Sequence, residues 1–332
     1  NFKISPTRTI AISKSNVEFL KDIGLDISNF SWPIKNIKIF NEKNKFKELF
    51  NFKNKDKYLF LLVRNKSFFS FLEKSLKKNK NFSKKIINKS FKYNRLLHEQ
   101  NDIIINSDSK NIFSKKYFSK RIKKDYNSKA FTTIINHQVN KNDCAYQVFT
   151  KFGPLAFLPY SKNKTSVVFS FNNSSKEISD NKIKSIISKY NKFYKLKSFS
   201  KFEKFNLDLS ISKNYYYKNI LGFSDNLHKI HPLAGQGFNM TLRDIKILGD
   251  IIDQRLELGL PLDSSVLKDF CNKTKHLNQI FSTGIDLIYE LFRLENKIDN
   301  IYADKIIKYF SNNKFFNNQV PKFADKGLFF NY

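Results

Sequence analysis

Glycine, cysteine and negative charge are all scarce in this chain, and each shortage excludes something. Nine glycines occur in 332 residues, and they never fall as Gly-x-Gly-x-x-Gly, so no dinucleotide-binding turn of that type is spelled out. The two cysteines, Cys144 and Cys271, exclude a disulfide framework and fit a reducing compartment as ordinary buried thiols. Hydrophobic residues make up 41% of the chain, yet no apolar run approaches the length of a membrane span. Aspartate and glutamate total 29 against 60 lysines and arginines, a formal charge of +31. That excess would suit an anionic membrane surface or nucleic acid. The lysines are spread throughout, however, and no nucleic-acid-binding signature accompanies them. Compositional drift towards Lys, Asn, Ile, Phe and Tyr explains the charge more simply. No specific nucleic-acid partner is expected; peripheral attraction to a membrane is.

What glycine there is gathers in one place. Gly235 and Gly237 stand one residue apart in the run His228 to Asp244. Without a Cβ, such a turn lets backbone amides approach a bound group and lets φ turn positive. A helix follows, with Leu242, Ile245, Leu248, Ile252 and Leu256 recurring every three or four residues until Gly259 and Pro261. A glycine turn feeding a helix start aims unpaired N–H groups and the positive dipole end at one point. A phosphate, or a ring carrying negative charge, suits that point. Just upstream, Asn219 to Phe223 reads as a short buried strand leading into Ser224-Asp225.

Elsewhere the pattern alternates between helix and strand over a chain long enough for one large or two modest domains. Ser15 to Ile23 reads as a helix ended by Gly24, Tyr58 to Val63 as a buried strand, and Arg64 to Leu72 as a helix. Asp102 to Ser109 reads as a strand ending in an acidic turn, after an Asn-Lys-rich solvated stretch from Lys77 to Tyr93. Residues 130–137, 144–150, 155–160 and 166–171 read as an antiparallel sheet. A helix over Glu177 to Tyr194 and a strand over Phe199 to Ile211 follow, and Asp263 caps C-terminal helices holding Leu267, Phe270, Leu277, Phe281, Ile285 and Ile288. His228 and His231 stand three apart, but zinc needs three or four ligands and no other His or Cys cluster exists, so no metal site is expected. His137 and Tyr146 are placed to assist phenol deprotonation, although a sheet-face His or Tyr is more often structural. Asp244 reads as a cap or dipole partner for the glycine-turn helix.

The run Ser224-Asp225-Asn226-Leu227-His228-x-x-His231-Pro232-x-Ala234-Gly235-Gln236-Gly237-x-Asn239, with Asp244 beyond it, resembles the second flavin motif of FAD-dependent aromatic hydroxylases. It is most similar to their ubiquinone-biosynthesis branch. Arg8-x-x-Ala11-Ile12-Ser13, Ala145 to Phe149 and Gly153 to Pro159 carry the same resemblance. It implies an α/β fold in which an incomplete Rossmann-like FAD-binding domain (1–30, 58–125 and 215–262) holds an inserted antiparallel β-sheet substrate domain (31–57 and 126–214). A C-terminal helical region (263–332) completes it. By the same resemblance FAD would be held by Arg8, Asn65, Asp108, Asp225, Pro232, Ala234, Gly235, Gln236, Gly237, Phe238 and Asn239, with His137, Tyr146 and Pro154 on the substrate side. No residue is assigned to catalysis itself. The family's first strand-glycine-helix unit has no counterpart here, and the Asn1 start favours a chain that begins downstream of it over one that has lost it.

The implied activity is monooxygenation: reduced flavin, through its C4a-hydroperoxide, hydroxylates a polyprenylated phenol on the way to ubiquinone. O₂ is co-substrate, and NAD(P)H or another donor supplies electrons. Other enzymes of that pathway are possible partners, and the expected location is cytoplasmic, at the inner face of the membrane. The alternative is a non-catalytic relative acting as an accessory subunit. Ser109, Ser224 and Thr241 stand where the family carries glycine, which favours that alternative; the intact Pro232-to-Asn239 spacing favours the enzyme.

Overall fold

Two-residue alternation builds the largest layer of the molecule, seen here in a computed structural model that describes residues 7–43, 46–53, 57–86, 96, 103–172, 178–231, 235–297, 322 and 325. In β9 (Gly153–Ser161), Leu155 and Phe157 face one side while Leu158 and Tyr160 face the other, as a pleat requires. With β3 (Asn36–Asn41), β4 (Glu48–Lys53), β7 (Arg121–His137), β8 (Cys144–Thr150), β10 (Lys164–Asn172), β12 (Glu203–Ser212) and β15 (His228–Lys229) it forms a sheet ordered β15-β12-β7-β10-β9-β8-β3-β4. A short strand, β11 (Leu196–Phe199), also pairs with β7.

Strand β7 begins at Arg121 rather than at the expected Ala130, because Arg121 to Ser128 also pair with β12. The register slips between Leu207 and Asp208. Opposite that slip Asn127 takes φ 49°, its N–H held by the Asp125 carboxylate at 2.8 Å, a bulge at a residue type that tolerates left-handed backbone.

One face of the sheet is covered by α4 (Asp180–Tyr190). Ser179 caps it, accepting the Lys182 N–H; the expected start at Glu177 lies outside the described residues. Ile183, Ile186, Ile187 and Tyr190 share one side of the helix and pack on Phe131, Ile135, Val148, Leu155, Phe157, Val167 and Phe169. Each such buried side chain contributes roughly 1.5–3 kcal/mol of transfer free energy before ordering costs.

The opposite face meets a second sheet. There Ala145, Leu158 and Tyr160 pack with Ile34, Phe60 and Leu62, joined by Ala11 and Trp32. This antiparallel sheet is ordered β1 (Thr9–Ser13), β5 (Phe60–Arg64), β2 (Ser31–Ile34). Strand β1 runs straight into α1 (Lys14–Asp22), and β5 into α2 (Asn65–Lys77), which extends past the expected Leu72.

A third sheet sets β6 (Ile104–Asn106) parallel to β14 (Ile220–Gly222), with β13 (Tyr216–Tyr217) on the far edge and α3 (Ile112–Tyr117) following β6. Against it lies a helical hairpin, α5 (Gln236–Glu257) and α6 (Ser264–Lys297). Leu248, Ile251, Val266, Leu267 and Phe270 meet Leu221, Phe223 and Leu227 there.

On α5 the periodic positions Ile245 and Leu256 are exposed, whereas Met240, Asp244 and Ile251 are buried. On α6, Ile288 is exposed as well. Both helices carry apolar residues on two faces, so spacing alone did not single out the inner one. Among the described residues, no helix is long and apolar enough to cross a membrane.

Candidate cofactor-binding site

The start of α5 is tied to β1 by one side chain. Asn239 is wholly buried. Its amide nitrogen donates to Ala11 O (2.8 Å) and Gly235 O (3.3 Å), while its oxygen accepts the Ser13 N–H (2.9 Å) and the Asn16 amide (3.0 Å). A side-chain amide offers two donors and an acceptor oxygen with two lone pairs, and here all of them are engaged. Gly235, just before the helix, takes φ 66°, ψ 24°. The left-handed turn bends the chain so that the first N–H groups of α5 leave the helix in one direction.

Around this knot, buried polar atoms go unpartnered. Gln236 is 3% exposed, and among the described residues neither its amide nitrogen nor its oxygen has a partner. His231 is 1% exposed with both ring nitrogens unpartnered. Its ring stacks on Tyr289 (4.2 Å, 27°) and meets Tyr126 edge-on (5.2 Å). Burial drives its pKa down to about 3 against a smaller opposing pull from Asp286, so the imidazole is neutral at physiological pH. An orphaned buried polar group costs about 1–3 kcal/mol, a cost that strain, a water, an ion or a bound ligand can account for. Pro232 and Ala234 lie between these two residues and outside the described ones.

His228 has a different fate. Its Nε2 lies 2.7 Å from Asp244 Oδ2, and Asn278 of α6 donates to the same carboxylate at 3.0 Å. Asp244, read from sequence as a cap or dipole partner, is instead the acceptor that locks β15 to both helices of the hairpin. Among the described residues, no group of three or more His, Cys, Asp or Glu side chains could hold a metal ion.

The acidic turns meet at the carboxyl ends of the parallel strands, where open α/β sheets commonly bind ligands. Asn226 donates to Asn106 O (3.1 Å), and the half-buried Arg121 reaches Asn226 O (2.7 Å) and Ser210 Oγ (2.6 Å). Asp225 stands exposed beside them. Asp108, also exposed, accepts the Lys110 N–H in a tight turn. Ser224 adopts φ 55°, a left-handed conformation that costs a non-glycine residue about 1–2 kcal/mol. Thr241 Oγ1 lies 3.4 Å from Ser224 Oγ and 3.3 Å from Gly237 O. Two residues that the sequence flagged as replacing glycines thus touch one another across the turn.

No family model matches the chain. Curated relatives do. The mitochondrial ubiquinone biosynthesis monooxygenase COQ6 of Dictyostelium discoideum is 25% identical over 184 residues, covering 44% of this chain and 37% of that protein. The 3-demethoxyubiquinol 3-hydroxylase of Escherichia coli is 29% identical over 160 residues, 45% of this chain and 40% of its own. The chain therefore spans less than half the length of these relatives. Among solved structures, p-nitrophenol 4-monooxygenase PnpA from Pseudomonas putida superposes with a TM-score of 0.74 at 10% identity, covering 98% of this chain and 90% of that one. Klebsiella pneumoniae HpxO, complexed with FAD and uric acid, gives 0.67 at 10% identity, with 98% and 88% covered. Over these segments the chain is similar to FAD-dependent monooxygenases. Its mixed α/β fold matches that of the aromatic hydroxylases over nearly the full chain, and the ubiquinone-biosynthesis hydroxylases are its distant homologues.

Within this fold the other residues expected on the flavin side fall into two places. Asn65, at the head of α2, donates its N–H to Arg8 O at 3.1 Å, so the two sit together beside β1, with the Arg8 guanidinium over the Phe205 ring (4.6 Å). Phe238 turns inward and meets Phe68 edge-on at 5.7 Å. The substrate-side residues are divided. His137 and Tyr146 lie on the sheet face covered by α4. There His137 Nδ1 faces Gln138 O (2.8 Å) and Nε2 faces Thr165 Oγ1 (3.0 Å). Tyr146 stacks on Phe193 at 3.9 Å, and burial raises its pKa, which keeps the phenol protonated. Pro154 is buried opposite Phe149 on the other face. Sequence reading missed Asn16, Arg121 and Asn278, three polar residues whose partners lie far along the chain.

Proposed function

We propose that this chain is an FAD-dependent monooxygenase that hydroxylates the aromatic ring of a polyprenylated phenol in ubiquinone biosynthesis. One observation carries the reading: the buried, unpartnered Gln236 amide at the left-handed entry to α5, held against β1 by Asn239. A flavin pyrimidine edge offers the donors and acceptors that such an amide lacks. The first N–H groups of α5 stabilise negative charge on that edge. Arg8 and Asn65 bind the ribityl-phosphate arm from the β1 side, and Asp225 accepts from ribityl hydroxyls. Asp108 belongs to the same lobe (1–30, 58–125 and 215–262). The bound flavin supplies activation of dioxygen, one atom entering the ring and the other leaving as water with electrons from NAD(P)H or another donor. His137 and Tyr146, on the face under α4, and Pro154, on the other face, are the candidate substrate-side residues. A lipophilic substrate brings with it peripheral work at a membrane surface.

A second reading is favoured by the Ser224–Thr241 contact, which sets two hydroxyls where relatives keep glycine: a non-catalytic relative serving as an accessory subunit. The protein at its full natural length, loaded with FAD and given NADPH, oxygen and a short-chain prenylated phenol in detergent, decides between them. The proposal expects one bound flavin per chain and a product heavier by one oxygen atom. Bound flavin without product supports the accessory subunit, and a folded chain that takes up no flavin overturns the enzyme.

A further inference from the structure

Arginine is rare in this chain: only seven of its 60 basic residues are arginine, and lysine fills the rest. A lysine ammonium serves where a point charge is enough, whereas a guanidinium offers five N–H donors in a fixed planar fork. One of the seven, Arg121, stands half-buried at the first position of β7, on the large sheet.

Its side chain reaches across the neighbouring strand. Nε donates to Ser210 Oγ (2.6 Å) and Nη2 to Ser210 O (3.4 Å), both on β12. Nη1 donates to Asn226 O (2.7 Å) and Asn226 Oδ1 (3.4 Å), and Nη2 also to Asp225 O (3.4 Å). Strand β12 lies between β7 and β15, so the fork spans β12 and grips the turn 224–226 where it leads into β15. None of these acceptors is a carboxylate; the fork holds backbone and neutral side chains in place. A single ammonium lacks the spread to meet carbonyls on both segments at once.

The grip is passed on. Asn226, wholly buried, donates its amide to Asn106 O at the end of β6 (3.1 Å), an oxygen that also accepts the Phe223 N–H (2.9 Å). The Asn106 amide donates to Ser114 Oγ (2.9 Å), and that hydroxyl donates to Asp108 O. One chain of hydrogen bonds thus runs from β7 through both acidic turns. The first turn needs holding, because Ser224 takes φ 55°, a conformation that persists only where the surroundings over-determine it.

We infer that Arg121 is a positioning residue for the flavin: from the large sheet its fork fixes the Asp225 turn, and with it the carboxylate offered to the ribityl chain. The inference rests on the flavin reading proposed above. Hydrogen exchange and FAD titration of the protein at its full natural length test it, with circular dichroism confirming that each variant is folded. In the flavin-free protein, Arg121→Gln speeds exchange of the amides of residues 224–227 by about tenfold or more and leaves those of β9 unchanged. Affinity for FAD falls about tenfold. A general loss of packing would also weaken binding, so a double-variant cycle separates the two. Acting through the turn, Arg121→Gln added to Asp225→Asn weakens FAD by less than about threefold more. Effects that multiply in full, wild-type affinity in Arg121→Gln, or unchanged exchange at 224–227 each overturn the inference and leave the flavin reading standing. A folded wild type that takes up no FAD overturns both.

Discussion

Gln236 and Asn239 stand three residues apart in the first turn of one helix, carry the same functional group and are equally buried, yet they live opposite lives. Every donor and acceptor of Asn239 is matched, by partners on β1, α1 and its own turn. Gln236 has none. The difference separates two tasks that a motif string runs together: a matched amide builds the scaffold, and an unmatched one beside it faces something the protein binds. His231 belongs with Gln236, whereas His228 stands between the two, its Nε2 bonded to Asp244 and its Nδ1 without a partner among the described residues.

The contrast can be broken most severely at the knot. Asn239→Ala leaves the Ser13 N–H and Ala11 O without partners in the core, and about 3 kcal/mol or more of stability should be lost, read from urea denaturation without flavin. A loss below about 1 kcal/mol would mean that the knot is not structural.

Next comes pH. His231 has a folded pKa of about 3, below its unfolded value of 6.5. Between those values the unfolded chain binds the extra proton, so stability falls as pH drops through about 6.5 and keeps falling towards 3. His231→Phe keeps the ring stack and removes this term, and its advantage over wild type should grow by about 2 kcal/mol between pH 7.5 and pH 5. Parallel pH profiles of the urea midpoint would contradict the assignment.

Gln236→Leu is the sharpest inversion. It removes an unsatisfied buried amide, so the flavin-free protein should hold its stability or gain about 1 kcal/mol, while affinity for FAD falls about tenfold. The smallest effect is Ser224→Gly, which relieves left-handed strain and should add up to about 1 kcal/mol of stability, measured as a rise in thermal midpoint.

How much of this could be read from residues alone follows from distance along the chain. Alternation gave β8, β9 and β10 nearly to the residue, since each strand carries its own pattern. The glycine turn and the helix after it were equally plain, and Gly235 does take the left-handed turn. The inner face of α5 was not, because Ile245 and Leu256 repeat as regularly as Leu248 and Ile251. Nor were the partners of Asn239, which lie more than two hundred positions away on β1 and α1. His228 and His231 look alike as letters; only the coordinates give one an acid and the other two tyrosines.

The most direct test is an equilibrium titration of FAD into the flavin-free protein at its full natural length, followed by flavin fluorescence, for wild type, Gln236→Leu and Gly235→Val. Saturable binding of one FAD per wild-type chain is expected, weakened about tenfold by Gln236→Leu and abolished by Gly235→Val. If all three folded proteins bind FAD alike, or the folded wild type binds none, the start of α5 is not where the flavin is held.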